Sequence, residues 1–225
     1  MPEEHGFLGL IRTTDEKDPG EIFRQVASLE CVHMHGPEHH SIVPCIMIAA
    51  FRNNGGGAGF EAALEAAAER GTQDSENGGE AGFEAALEAA AERGGQDSEN
   101  GGEAGFEAAL EAAAERGGQV PGGVCGSWGT CGAAIGAGIY GSIIADLTPY
   151  TDEGWGAVQL LTARSLEKMA AVGGPRCCKR TSRMAIEACV DFTRERYGVE
   201  MPLKDYRCTH YAINEECIHG RCPYF

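Results

Sequence analysis

A 13-residue segment occurs three times in the middle of the chain with a period of 23 residues, and it limits the fold more than any other feature of the sequence. The segment Gly59–Gly71, GFEAALEAAAERG, recurs unchanged at Gly82–Gly94 and at Gly105–Gly117. Ala, Leu and Glu favour an α-helix, the apolar Phe60 and Leu64 are four residues apart, and a glycine ends each copy. We therefore expect each copy to form one short helix.

The polar segments between the copies, 73–81 and 96–104, are identical as well, and the connections differ only where Thr72 is replaced by Gly95. Solenoid repeats share a hydrophobic pattern while their loops diverge, so this identity indicates recent duplication of one segment. Each copy has a narrow apolar stripe, so we expect one copy to dock on the core and the other two to form a flexible or loosely packed excursion. The alternative is an array of three helices that binds a partner or a second copy of the chain.

Acidic residues are concentrated in these repeats. The 225-residue chain has a net charge of −16, and residues 59–117 carry 15 of its 34 acidic side chains but only three of its 18 basic ones. The rest is nearly neutral and contains all ten cysteines and all seven histidines. The acidity argues against nucleic acid or a membrane as a partner, since both are bound by clustered Lys and Arg. A basic site for an anionic ligand stays open around Arg176, Lys179, Arg180 and Arg183.

Outside the repeats, helix signals recur and no stretch shows the sustained alternation of a strand. Asp18 and Pro19 predict the start of a helix that ends near His35. Pro37 predicts the start of a second helix, which Pro44 should kink.

Three more helices are expected in the second half of the chain. A turn at residues 120–123 precedes a helix of small residues that ends near Ile143. Asp152 is expected to cap the next helix, which stops at Gly173, and a last helix covers residues 181–197. We predict a mainly α fold: a compact helical domain with glycine-rich joints, a cysteine-rich C-terminal tail and an inserted array of short Ala/Glu helices.

The domain division follows from the repeats. Residues 1–58 and 118–225 should form one helical Cys/His-rich domain, and residues 59–117 a partly flexible insertion. The first residues show no secretory signal, and the uncharged run over 117–145 fits a packed helix better than a membrane span. We therefore expect a cytoplasmic protein, in which clustered cysteines indicate metal or redox chemistry rather than disulfides.

The C-terminal tail contains the strongest local signal for a metal site. Cys208, His210, Cys217, His219 and Cys222 lie within 15 residues of one another, and thiols and imidazoles are the ligands that soft metal ions prefer. A Cys-Pro pair at the end of such a run also occurs among iron–sulfur ligands. The spacing matches no standard zinc finger. We expect the three cysteines to bind metal.

Two further pairs of cysteines have favourable surroundings. Cys177 and Cys178 lie between basic residues, which lower a thiol pKa, and the side chains of neighbouring residues diverge, so at most one should enter a given site. Cys125 and Cys131 flank a glycine-rich loop that would let a cofactor approach the backbone, and Cys131 should open a helix. We expect all four to bind a cofactor.

Four histidines surround the predicted start of the second helix. His33, His35, His39 and His40 lie within eight residues, together with Glu38. Imidazole exchanges protons near neutral pH, so His35, Glu38 and His39 are candidate catalytic residues, in a proton relay or a second metal site.

Other motifs are better explained by packing. Cys45 and Cys189 lie on apolar helical surfaces and should be buried in the core. Gly136, Gly138 and Gly141 match the dinucleotide fingerprint GxGxxG, but no strand precedes them and they fall inside a predicted helix.

Four blocks of the sequence resemble, in the same order, a family of uncharacterised domains, DUF5714. They are 33–44 (HMHGPEHHSIVP), 120–136, 174–180 and 216–223. In that family the domain occurs alone or joined to radical-SAM enzymes, mostly in anaerobic microbes, and its chemistry is unassigned. Residues 130–136 are also similar, more weakly, to putative redox proteins named for a C-GCAxxG-C-C pattern, which are helical.

The resemblance implies that the motif residues form the functional site. Its candidates are His35, Glu38, His39, Cys125, Cys131, Cys177, Cys178, Cys208, Cys217 and Cys222.

Three functions fit these observations. The first is a cysteine-ligated metal protein, in which an iron–sulfur cluster is favoured over zinc. It would act in redox, sulfur or one-carbon chemistry beside a redox or radical-SAM partner. Its fourth ligand would be one of Cys177, Cys178, Cys125 and Cys131. The second is a binding module with a structural zinc, whose repeats engage a protein partner. The third is a metal-free thiol enzyme with Cys177 or Cys178 as nucleophile. The sequence does not decide whether the protein is an enzyme, or whether it is a monomer or a homo-oligomer.

Overall fold

The computed structural model describes residues 6–56 and 101–225, and it confirms the mainly α class. The described residues form eight α-helices, a short 3-10 helix and no strand. The α-helices are α1 Phe7–Thr13, α2 Pro19–Ala27, α3 Glu38–Asn53, α4 Gly101–Gly118, α5 Val124–Ser127, α6 Gly132–Ile144, α7 Trp155–Val172 and α8 Cys178–Tyr197; the 3-10 helix is His219–Arg221.

Helix α3 is the centre of the core. Every residue from His39 to Phe51 is buried, because α4 and α6 pack on this helix and α1, α2 and α8 contact it as well. Small residues allow α4 and α6 to approach closely. A Cβ atom added to Gly117 would lie 2.6 Å from the Cα of Ser41. One added to Gly136 would lie 2.8 Å from the carbonyl oxygen of His40. The first turn of α3 is thereby fixed between two other helices.

The third copy of the repeat lies in α4 and packs antiparallel to α3. Its Phe106 and Leu110 are fully buried, and each such side chain contributes about 1.5–3 kcal/mol by burial. The Arg52 guanidinium lies 3.7 Å from the centre of the Phe106 ring. The first two copies lie outside the described residues, so the division into domain and insertion stays a prediction.

Helix α2 starts where the sequence predicts but ends earlier. Asp18 Oδ1 accepts hydrogen bonds from the backbone N–H groups of Gly20 and Glu21. The helix ends at Ala27, not near His35, because the Ala27 carbonyl accepts hydrogen bonds from Lys179 Nζ at 2.8 Å and from the His210 ring at 3.2 Å. The chain that follows becomes a loop, and this loop forms one wall of the site.

Two predicted helix starts are corrected by the structure. Helix α7 begins after Gly154, whose φ of +86° is easily adopted only by glycine, and Asp152 is not its N-cap. Helix α8 begins at Cys178, with Cys177 as its N-cap, three residues before the expected start. Its predicted end is confirmed, since Gly198 follows Tyr197 in the left-handed conformation.

The glycines of the GxGxxG match serve helix packing. All three lie inside α6, as expected, and Gly136 faces α3. A side chain at Gly138 or Gly141 would meet Thr162 or Leu161 of α7. Among the described residues, no helix combines the length and the apolarity that a membrane span needs.

The C-terminal tail is fastened across α2 and α8. The backbone N–H of Lys204 donates to Asp18 Oδ2 at 2.9 Å, and the hydroxyl of Tyr224 donates to Glu187 at 2.9 Å. Within the tail, the N–H of Cys208 donates to the carbonyl of Tyr224 at 2.7 Å. These bonds fasten the tail to the start of α2 and to the middle of α8.

Candidate functional site: two cysteine-lined cavities

The vicinal cysteines divide the functional residues into two groups. Cys177 has an extended backbone and Cys178 is the first helical residue of α8, so their side chains leave the chain in different directions. Cys177 lines a small cavity under the tail, which we call the tail cavity. Cys178 lines a larger one beside the starts of α3 and α6, which we call the main cavity.

The tail cavity collects four of the ten cysteines. Its volume of about 20 Å³ has room for roughly one water molecule. The other lining residues are mostly aromatic or amide side chains, with Lys179 and Arg180. The four cysteines are Cys177, Cys208, Cys217 and Cys222.

Polar hydrogens already point at three of these sulfur atoms. The backbone N–H of His210 donates to Cys208 Sγ, and that of His219 donates to Cys217 Sγ, both at 3.4 Å. The side-chain amide of Asn214 donates to Cys177 Sγ at 3.6 Å. Each of these bonds would strengthen if the sulfur carried a negative charge.

Burial favours the neutral form of two thiols of the tail cavity. It raises the pKa of Cys177 and of Cys208, and for both thiols the neighbouring Cys222 raises the pKa further. The opposite charge is close by, because the ammonium group of Lys179 is near enough to Cys177 and Cys208 to influence their electrostatics. This group is buried and, among the described residues, donates to the carbonyls of Ala27 and Val32. Burial lowers the pKa of Lys179, and the nearby Cys177 is the largest influence that opposes this. The positive charge of Lys179 would therefore partly compensate a negative charge at the cysteines.

The basic cluster predicted for an anionic ligand is largely structural. Lys179, Arg180 and Arg183 are all buried, and each donates to backbone carbonyls. Arg180 holds the carbonyls of Gly173 and Pro175 at 2.8 and 2.7 Å. Arg176 alone of the four is exposed.

The main cavity has a volume of about 500 Å³ and is open to solvent. The starts of three helices, α3, α6 and α8, contribute to its wall, and helix N-termini attract negative charge. No Asp or Glu is among the residues that line it in the described part of the chain. Its lining includes the predicted His35, His39, Cys125, Cys131 and Cys178.

Cys178 occupies a polar corner of the main cavity. Burial raises the pKa of its thiol, while the backbone N–H of Gly36 and the charge of Arg176 favour the thiolate and Cys131 opposes it. The Arg176 guanidinium also lies 4.0 Å from the sulfur of Cys125. Three thiols and one exposed arginine therefore share this region.

His35 has one ring nitrogen bonded and the other free. Its Nε2–H donates to Glu216 Oε2 at 3.1 Å. Its Nδ1 is buried and has no hydrogen-bond partner in the part of the chain that the structure describes. A carboxylate on Nε2 places the proton there, so Nδ1 is the nitrogen that can accept a proton.

The other predicted catalytic residues have partners within the protein. His39 is fully buried, with Nε2–H donating to the carbonyl of His33 at 3.0 Å and Nδ1 accepting from Ser182 at 3.1 Å. Burial lowers its pKa from 6.5 to about 4. The carboxylate of Glu38 accepts from the backbone N–H and the ring of His33 and does not line the cavity.

The sequence analysis did not select Glu216 or Gly36. Both adjoin residues that it did select, Cys217 and His35, and both lie inside blocks that resemble the DUF5714 family, 33–44 and 216–223. Across residues 6–56 and 101–225, no group of three or more His, Cys, Asp or Glu side chains is arranged so that it could hold a metal ion. The cysteines of each cavity therefore line the same space, but in the described residues they are not arranged as a set of metal ligands.

Comparison with protein families finds one relationship. The model of a family of unknown function, DUF5714, matches residues 8–98 and 85–225, and the two matches overlap inside the repeats. No curated protein and no solved structure matches the chain. The weaker similarity to the C-GCAxxG-C-C proteins stays a prediction. Because the two matches together span nearly the whole sequence, the chain belongs to the DUF5714 family.

Proposed function

We propose that the protein is a cysteine-ligated metal protein and that the tail cavity is its metal site. The ligands would be Cys177, Cys208, Cys217 and Cys222. One observation carries the proposal: these four thiols, from the start of α8 and from three points of the tail, line one small cavity. The side chains would turn toward its centre when they lose their protons to the metal.

The surroundings favour a bound cation with thiolate ligands. Hydrogen bonds from His210 and His219 to sulfur would stabilise thiolates, as they do in other metal sites. The buried ammonium of Lys179 would offset part of the negative charge of four thiolates around a divalent ion.

The size of the cavity favours one ion, iron or zinc, over a larger cluster. Four sulfurs at about 2.3 Å from a tetrahedral ion enclose little space, and the cavity holds only about 20 Å³. An iron–sulfur cluster would need the tail to move outward. Four protein ligands leave no open position, so iron here would transfer electrons and zinc would fasten the tail.

Metal analysis of anaerobically purified protein tests the proposal. We expect about one metal ion per chain: iron gives a coloured protein without labile sulfide, and zinc a colourless one. Iron with an equal amount of sulfide would mean a cluster on the same ligands. Protein that contains no metal, and takes up none after reduction and reconstitution, would refute the site.

Adjacent cysteines provide a matched pair of variants. Cys177→Ser should lose the metal, because its thiol lines the tail cavity, whereas Cys178→Ser should keep it. Circular dichroism checks that both variants are helical. Full metal content in Cys177→Ser would exclude Cys177 as a ligand.

A further inference from the structure

The main cavity has the form of a ligand-binding site, and the proposed metal site makes no use of it. We propose that it binds a small organic molecule with an apolar body and one oxyanion group, a carboxylate or a phosphate, and that Arg176 binds this group. The cavity volume of about 500 Å³ lies within the range of roughly 300–1,000 Å³ that is usual for small-molecule sites. The proposal goes beyond the metal site and does not depend on it.

Arg176 is the residue of the cavity that can bind an anion. Of the two arginines in the described lining, Arg180 is buried and donates to backbone carbonyls, whereas Arg176 is exposed. Within the described residues, the side chain that accepts from Arg176 is the thiol of Cys125, at 4.0 Å, and a thiol is a weak acceptor. An oxyanion would give the guanidinium a stronger partner, with two parallel hydrogen bonds.

The protein keeps its own negative charge out of the cavity. No carboxylate of the described residues lines it. Glu216 influences Arg176 from further away, but its carboxylate accepts from the His35 ring at 3.1 Å. The first turns of α3, α6 and α8 line the cavity, and among the described residues no side chain caps them. The N–H groups of these turns therefore add partial positive charge to that of Arg176.

The rest of the lining suits an apolar body. Leu166, Met169 and Ala170 are spaced by three and four positions in α7, so they lie on one face of the helix, and all three line the cavity. Glycines form much of the remaining wall. A Cβ atom added to Gly122 or Gly129 would meet no described atom within 4 Å, so the space beside the backbone is empty at these positions. A ligand can approach the chain closely there.

Two fluorescent dyes of different charge test the site without its natural ligand. Anilinonaphthalene sulfonate has an aromatic body and one sulfonate, and phenylnaphthylamine has the same body without the sulfonate. Both fluoresce more strongly in apolar surroundings, and each is titrated into the native protein. We expect about one molecule of the sulfonate dye to bind per chain. Its affinity should fall as salt is added, whereas that of the neutral dye should not.

Removal of the arginine charge tests the role of Arg176. Arg176→Gln should weaken the binding of the sulfonate dye by about tenfold and leave that of the neutral dye within about twofold, because only the sulfonate binds the guanidinium. Unchanged binding of the neutral dye also shows that the cavity still forms. Arg196→Gln is the control, since it removes the same charge at an exposed position of α8 that does not line the cavity. It should leave both affinities unchanged.

A second pair of variants tests whether the dyes occupy the cavity. Gly122→Phe places a ring in the lining, where it meets no described atom within 4 Å, and should weaken both dyes by about tenfold or more. Gly126→Phe adds the same ring at a position with equal space that does not line the cavity. It should leave both affinities unchanged. Circular dichroism checks that both variants are helical.

Displacement of the sulfonate dye identifies the anionic group. Hexanoate, hexyl phosphate and hexanol share one carbon chain and differ in the group at its end. At least one of the two anions should displace the dye at concentrations at which hexanol does not, and the more effective anion is the class that the site prefers. The proposal is overturned by equal displacement by hexanol, by equal loss of both dyes in Arg176→Gln, or by dye binding that Gly122→Phe leaves unchanged.

Discussion

Cys177 and Cys178 are consecutive residues, yet their thiols line different cavities. The division arises at the start of α8, where Cys177 still has an extended backbone and Cys178 is already helical. Arg180, in the first turn of α8, lines both cavities. Its side chain donates a hydrogen bond to the carbonyl of Gly173 and so connects the preceding loop to the helix. The two sites therefore share a rigid helix start, and a change at one residue can be assigned to one site.

The contact between Gly132 and His40 should be sensitive to a single methyl group. A side chain at Gly132 would overlap the His40 ring, whose Nδ1–H donates to the carbonyl of Val120 at 3.1 Å. Gly132→Ala should therefore destabilise the protein by about 1–3 kcal/mol, measured by urea unfolding. Gly126→Ala is the control, because nothing lies within 4 Å of that position. Equal stability of the two variants would contradict the close packing of α6 on α3.

The protein should lose stability in mild acid because of His39. The pKa of His39 is about 4 in the folded chain and 6.5 when it is free, so between these values the unfolded chain binds the extra proton. Its contribution to the free energy of unfolding is complete above pH 6.5 and is lost as the pH falls toward 4, by up to about 3 kcal/mol. Urea unfolding at several pH values measures it.

His39→Gln isolates this effect. Glutamine can still donate to His33 and accept from Ser182, but it does not titrate. The variant should show a flatter dependence of stability on pH between 6.5 and 4. His33→Gln, at an exposed position, should retain the wild-type slope, and the same slope in both variants would contradict the assignment.

Two of the three repeat copies should be dispensable for folding. The end of α3 already touches the third copy, through Arg52 and Phe106, so a chain without residues 59–104 could still connect them. A shorter connection costs less entropy, and we expect the melting temperature to stay the same or to rise by a few degrees. In that shortened chain Phe106→Ala should cost about 3–5 kcal/mol, because only one copy remains to fill the core. Loss of cooperative unfolding after the deletion would mean that the removed copies belong to the core.

Two cysteines should resist every thiol reagent in the native protein. Cys45 and Cys189 are fully buried, and burial raises the pKa of Cys45 to about 12 and that of Cys189 higher still. Neither should react with iodoacetamide at pH 8 until denaturant is added, whereas Cys31 should react at once. Mass spectrometry before and after denaturation measures this. Rapid labelling of Cys45 would show that α3 and α4 separate in solution.

Features with local signals could be predicted from the sequence. Pro37 and Gly198 marked helix ends, the apolar helical faces indicated that Cys45 and Cys189 are buried, and Cys131 opens α6 as expected. Each of these depends on residues within a few positions of one another.

Features that depend on distant partners could not be predicted. Helix α2 ends at Ala27 because Lys179 and His210 take its last carbonyl, and neither is near it in the sequence. The pairing of His35 with Glu216 spans 181 positions. Nothing local indicated that Cys177, and not Cys178, would join the tail cysteines.

The segment of α4 that packs on α3 has the same sequence as two earlier segments of the chain. Gly117 lies against Ser41 and Phe106 lies against Arg52, and both residues recur at the same places in the sequence of the other two copies. If a mutation disables the docked copy, we expect one of the two other copies to replace it by a shift of 23 or 46 residues. Of the described helices, α4 is thus the one that contains a segment found at two further places in the chain. Phe106→Ala should therefore have little effect on the stability of the full chain, although it destabilises the chain that lacks residues 59–104.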